Sequence, residues 1–167
     1  MKKIRVVVGD PMKFIKGKDA IVNPQNRYMI KGSGLNRKIY EAAGERLLTT
    51  FCEDYYQEQM EQNEVRVTPG FNLGMDIIHF FAPKYHFTED PIEELRQGYQ
   101  KIFAEIERNN YKNVIMTSLG VGVPGYTHQD VAEMVIKAMK NFTANKKINI
   151  TLVVSNRKIK KLYDKHL

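Results

Sequence analysis

The chain has one cysteine, four histidines and no apolar run long enough to cross a bilayer. Each shortage excludes something. A lone Cys52 closes no internal disulfide, and nothing beside it suggests an activated thiol. A disulfide-stapled secreted fold and a cysteine nucleophile therefore drop out, and a reducing, cytoplasmic setting fits. No histidine pairs with another or with the cysteine at metal-ligand spacing, so no metal site is expected. The opening MKKIRVVVGD carries two lysines, but its apolar run is short and stops at Gly9-Asp10. It reads as a first strand, not a signal peptide, and no membrane partner is expected. Linkers, repeats and low-complexity tracts are also missing, so residues 1–167 read as one domain, long enough to bury a core.

What is present is ordinary in bulk. Hydrophobic residues make up 43% and charged residues 27%, as in soluble globular proteins. The net charge of +7 favours anionic partners. There is no arginine-rich stripe or zinc-finger spacing, and the densest basic run, Arg157 to Lys161, falls in a helix whose end suits cations anyway. Nucleic acid stays open as a secondary partner.

The stretch from Asp19 to Gly44, DAIVNPQNRYMIKGSGLNRKIYEAAG, organises the rest. An apolar run, Ala20 to Val22, is followed by Asn23 and Asn26, then Gly32-Ser33-Gly34, then a helical segment from Leu35 to Ala43. Glycines ahead of a helix let backbone N–H groups converge on an anion, and the helix N-terminus adds partial positive charge. Asparagine carboxamides offer donors and an acceptor to hydroxyls. The local chemistry is that of a sugar phosphate, although glycine pairs and Asn-Pro also make plain turns.

In chain order, Ile4 to Val8 and Ala20 to Asn23 read as strands. A helix from about Glu45 to Gln62 follows, with Leu47, Leu48, Phe51, Tyr55 and Met60 as inward residues. Val65 to Thr68 and Met75 to Phe81 are further strands. His79 lies inside the second, where a packed, hydrogen-bonded core histidine is expected. Asp90-Pro91 with Glu93-Glu94 signals a helix start, and Asn109-Asn110 its end. Val114 to Thr117 is a strand, Thr127 and Asp130 resemble a capping box, Ile148 to Val154 is a last strand and Arg157 to His166 a last helix. This alternation predicts a layered α/β domain with a largely parallel sheet. Asp10, Asn23 to Asn26, Gly32 to Gly34, Gly120 to Tyr126 and Ser155-Asn156 all follow strands, where ligands of such sheets sit. Residues Gly120 to Gly125 also spell the dinucleotide fingerprint GxGxxG. Only one strand follows it, however, with no acid about 20 residues on to hold a ribose. A second phosphate clamp is the better reading.

With these pieces in order, the chain resembles a macro domain, the ADP-ribose-binding module. The resemblance rests on DAIVNPQNRYMIKGSGLNRKIYEAAG, VTPGFNLGMDIIHFFAP, MTSLGVGVPGYTHQDVAEMVIKAM and Gly9-Asp10, and covers nearly the whole chain. It implies a three-layer α/β/α sandwich with a mixed, mostly parallel sheet and ADP-ribose held across the strand ends, with no cofactor. On that resemblance Asp10 would accept the adenine amino group beside Pro11. Asn23 and Asn26 would face the distal ribose, lined by Gly32, Ser33, Gly34 and Leu35. Ser118, Gly120, Val121, Gly122, Val123, Pro124, Gly125 and Tyr126 would wrap the diphosphate, and Asn156 would border the adenine.

The departures bear on mechanism. Pro11 removes a backbone donor from the adenine end. Pro24-Gln25 separates the two asparagines, Ser33 replaces a middle glycine, and Pro124 stands where an aromatic is common. The hydrolytic branch usually has an acid just after the first glycine loop, and here that position is Asn36, which cannot act as a carboxylate base. Asn26 and Asn36 are the residues to examine for catalysis, and Lys31 and Lys84 for ribose attack, though both lysines fit a solvated surface better. Three readings stay open: binding of ADP-ribose, free or on a protein; hydrolysis of an ADP-ribose ester or ADP-ribose 1''-phosphate; and binding of poly-ADP-ribose or nucleic acid through the basic surface.

Overall fold

β-branched runs supply the sheet, and helices with one apolar stripe cover it on both sides. The computed structural model describes residues 2–167. Its elements run β1 (Ile4–Val8), β2 (Ala20–Pro24), α1 (Gly34–Ala43), α2 (Glu45–Tyr55), β3 (Val65–Thr68), β4 (Asp76–Phe80), α3 (Pro91–Arg108), β5 (Asn113–Thr117), α4 (His128–Thr143), β6 (Asn149–Val154) and α5 (Arg157–Asp164). Among the described residues these strands form one sheet, ordered β1-β6-β5-β2-β4-β3. Every pairing is parallel except β3 with β4.

Alternation along each strand divides the core in two. Ala20 and Val22, Val114 and Met116, and Leu152 and Val154 face α3, α4 and α5, where Tyr99, Phe103, Val135 and Tyr163 fill the layer. Ile21, Ile77, Ile115 and Val153 face α1 and α2, packing on Ile39, Tyr40, Leu48 and Cys52. The result is the expected α/β/α sandwich. Side-chain caps start the helices where the sequence places them. Asp90 accepts from Glu93 N at 3.3 Å, and Thr127 from Asp130 N at 3.2 Å. In each case this pairs a donor that the helix cannot satisfy internally.

One element departs from expectation. α2 stops at Tyr55, seven residues before the predicted end. The Arg66 guanidinium takes the carbonyls of Glu58 and Gln59 at 2.8 and 3.2 Å, and Met60 N donates to Arg27 O at 2.8 Å. These tertiary bonds hold the segment in an irregular return and bury Met60 outside any helix. Leu47 and Tyr55, expected inward, are instead exposed at 48% and 67%.

Candidate functional site

Since β1, β6, β5, β2 and β4 are parallel, their carboxyl ends share one edge of the sheet. The chain leaves β2 toward β4 and leaves β5 toward β6, in opposite directions. The crevice between β2 and β5 is therefore the topological switch point, where ligands of such sheets bind. Both glycine loops flank it: residues 25–33 follow β2 and lead into α1 at Gly34, and residues 118–126 follow β5.

The first loop is tied down by carboxamides. Asn26 Oδ1 accepts from Tyr28 N and Ile30 N at 3.1 and 3.4 Å, and its Nδ2 donates to Ile30 O at 2.7 Å. Asn36, at 4% exposure, accepts from Gly32 N through Oδ1 at 2.6 Å and donates to Gln25 Oε1 at 3.0 Å. Ser33 precedes α1 but makes no side-chain cap bond, and the first turn carries no acid. The opening amides of α1, at exposed Gly34 and half-buried Leu35, thus lack a side-chain cap at the end of the helix where its dipole is positive, the end that follows the first loop.

Beneath that loop lies a polar cluster. Register pairs Asn23 with His79. His79 Nδ1 lies 3.0 Å from both Asn23 Nδ2 and Gln25 Nε2, and Gln25 Nε2 also donates to the Tyr40 hydroxyl at 2.7 Å. Two amide donors on Nδ1 require a bare nitrogen there. The proton therefore sits on Nε2, which donates to Thr68 Oγ1 at 2.8 Å, and that hydroxyl donates to Pro69 O. Full burial, with the Arg66 charge second, pushes the His79 pKa down to about 3. His79 is a neutral structural strut, as the sequence indicated. Asn23, expected at the ribose, is fully buried; its Nδ2 is given to His79, and its Oδ1 has no partner among the described residues.

The second loop hangs from tyrosines. Tyr99 Oη accepts from Leu119 N at 2.9 Å, and the Tyr163 hydroxyl donates to Ser118 Oγ while lying 2.8 Å from His128 Nδ1. Tyr126 is 2% exposed; it donates to Pro91 O at 2.9 Å and meets the Tyr85 ring edge-on. The structure thus sets Ser118 and Tyr126 under the loop as supports, where the sequence put them on the ligand. Gly120 has φ 82° and its α-carbon faces the Tyr126 ring, so a side chain there meets both backbone strain and a neighbour 2.8 Å away. Val123 stands fully exposed at the crest, and Pro124 O accepts from Tyr85 N. Among the described residues, no backbone hydrogen bond of ordinary geometry engages the amides of Val121 and Val123.

The remaining residues flank this centre. Asp10 follows β1 and caps a short 3-10 turn, Pro11–Lys13, accepting from Met12 N and from Lys38 Nζ, each at 3.0 Å. Those two bonds, Lys38 first, hold its carboxyl below the usual range. Asn156 Oδ1 caps α5 through Ile159 N. Leu35 is half-buried at the start of α1. Lys31 is ion-paired with Glu45 at 2.9 Å, and Lys84 is exposed over the Phe87 ring, so neither lies in an apolar pocket suited to a nucleophilic amine. Cys52 is buried, its thiol pKa raised to about 11 by desolvation, and is inert.

Gln25, Lys38, Tyr40 and Tyr163 did not figure among the site residues read from the sequence. Only Gln25 left a signal, as a third carboxamide between two asparagines.

The two glycine loops thus adjoin one another at the strand ends of an α/β/α sandwich. The Macro domain family model matches residues 22–135, and the chain belongs to that family. It is 28% identical over 144 residues to an O-acetyl-ADP-ribose deacetylase of Salmonella typhimurium, covering 84% of this chain and 79% of that protein. A macro domain-containing protein of Vibrio parahaemolyticus is 31% identical, covering 70% of each. Among solved structures, the Oceanobacillus iheyensis macrodomain with ADP superposes with a TM-score of 0.83 at 25% identity, covering 96% of this chain and 87% of that one. The Trypanosoma brucei macrodomain in complex with ADP-ribose shares the fold, with a TM-score of 0.82 at 22% identity, covering 98% of this chain and 68% of that one.

Proposed function

We propose that this chain binds ADP-ribose, free or attached to protein, in the crevice between β2 and β5. The observation that carries the reading is the uncapped α1 N-terminus facing the switch point opposite a second glycine loop. Two sets of backbone donors there suit the two phosphates of a diphosphate, in a geometry that favours anions without a buried counter-charge. Asn26 has a second amide hydrogen beyond the one given to Ile30 O, and that hydrogen is the group for a ribose hydroxyl. Asp10 faces the base end, already shared with Lys38. Calorimetry with ADP-ribose, ADP and AMP tests the reading: saturable binding that weakens when the second phosphate is absent supports it, and no binding of ADP-ribose at millimolar concentration overturns it.

A second reading, hydrolysis of an ester of ADP-ribose, is favoured by the deacetylase names of relatives that span most of the chain. Asn36 is not its base. It carries no carboxylate, and both ends of its amide are engaged with Gly32 and Gln25. Water attack on the ester would instead rely on orientation by Asn26 and on loop dipoles that stabilise the developing oxyanion. Release of acetate from O-acetyl-ADP-ribose, and of label from mono-ADP-ribosylated protein, separates a hydrolase from a pure reader. Binding through the basic surface alone predicts a steep salt dependence, which the crevice does not require. A cytoplasmic setting fits a chain whose single thiol is free. Among the described residues no helix is long and apolar enough to cross a membrane.

A further inference from the structure

The outward face of α2 is unlike the rest of the surface. Leu47, Phe51 and Tyr55 recur at four-residue spacing along it, and Phe71 joins them from the turn before β4. Phe51 stacks on Tyr55 at 5.3 Å and meets Phe71 edge-on at 5.9 Å, making a hollow of about 550 Å³ with Arg46 and Asp54 at its ends. Phe71 holds φ 50°, a backbone region that bulky side chains rarely adopt. Contiguous exposed apolar side chains of this kind mark an interaction surface. Among the described residues, no ion pair engages Arg46 or Asp54.

We propose that this face is a homodimer interface in which two copies of α2 pack antiparallel about Thr50. The charge pattern selects a second copy over other partners. Arg46 and Asp54 lie four residues to either side of Thr50 on one stripe. A two-fold axis through that point sets Arg46 opposite Asp54 of the second copy, and the reverse pair forms by symmetry. The same operation sets Leu47 level with position 53 of the second copy, between its Phe51 and Tyr55, and leaves each Phe51 one residue, about 1.5 Å, from the axis. The charged stripe pairs with itself, and the adjoining stripe covers Leu47, Phe51 and Tyr55. The face borders the turn that feeds the start of β4, whereas the glycine loops follow the carboxyl ends of β2 and β5. An 11-residue helix is only about 16 Å long, so the contact is smaller than a standard interface and the dimer dissociates in the micromolar range.

Sedimentation velocity over a micromolar to millimolar concentration series tests the proposal. The wild-type chain passes from monomer to dimer. Phe51→Glu stays monomeric, with an unchanged circular dichroism spectrum and unchanged ADP-ribose binding. Arg46→Asp weakens dimerisation by roughly tenfold, from two symmetric like-charge contacts. Arg46→Asp combined with Asp54→Arg restores it. A wild-type chain that remains monomeric throughout overturns the proposal, as does a double swap that fails to rescue a broken single one. The first outcome would assign the face to a different protein.

Discussion

Gly32 N donates to Asn36 Oδ1 at 2.6 Å, so the residue in the position of an expected catalytic acid is instead a tie between the glycine loop and its own helix. The other end of the same amide holds Gln25 Oε1, and Gln25 in turn receives Asn26 N at 2.9 Å. One buried carboxamide therefore fixes both the phosphate side and the ribose side of the crevice.

Replacing it with the family's usual acid is expected to harm the fold. Asn36→Asp keeps an acceptor for Gly32 N but sets a carboxylate oxygen against Gln25 Oε1, two acceptors with no proton between them. The expected cost is about 1–3 kcal/mol of stability, together with weaker ADP-ribose binding from an added negative charge. Thermal unfolding and calorimetry on the same variant check both. Asn36→Ala should cost stability without the charge penalty on binding.

His79 gives the stability curve its acid side. Its pKa is about 3 when folded and near the ordinary 6.5 when unfolded, so between those values the unfolded state binds the proton and the folded state does not. Stability is therefore fully present above pH 6.5 and falls as pH drops toward 3, by up to about 1.4 kcal/mol per pH unit from this group. Denaturant unfolding of wild type and His79→Gln between pH 7 and pH 4 reads it: the variant is less stable at neutral pH, and its curve is flatter between pH 6 and pH 4.

Tyr163 suspends the second loop from α5. Burial raises its hydroxyl pKa to about 12, so it remains a donor at every physiological pH. Tyr163→Phe removes the bond to Ser118 and the contact with His128 at a cost of about 1 kcal/mol. The amide resonances of residues 118–126 are expected to broaden or shift, while those of α1 stay in place.

Lys38 competes with any base amine for Asp10. Lys38→Ala releases one carboxylate oxygen, and AMP is expected to bind a few-fold more tightly, since an exposed pair is worth less than about 1 kcal/mol. Asp10→Asn, titrated in parallel, should lose that gain.

Much of the fold was legible because its signals are local. The run Ile4 to Val8, the Asp90-Pro91 start and the Thr127 cap each express a preference that the tertiary structure agrees with. The end of α2 was not, because Arg66 and the Arg27 carbonyl capture residues 58–60 from a distance in sequence. The site divided the same way. The glycine loops could be read directly, whereas the cluster of Asn23, Gln25 and His79 depends on a β2–β4 register between residues 56 apart, which no local pattern encodes. Tyr126 and Ser118 follow that lesson: their positions in the loop were clear, but which way they faced was set by Pro91 and Tyr163.

The central claim is that two separate sets of backbone amides hold one diphosphate. Proton–nitrogen correlation spectra of the labelled protein during titration with ADP, with adenosine as control, test it most directly. The large shifts with ADP should fall on Gly34, Leu35, Val121 and Val123 together, and adenosine should leave them in place. Shifts confined to the basic residues of α5, or to only one of the two loops, would contradict it.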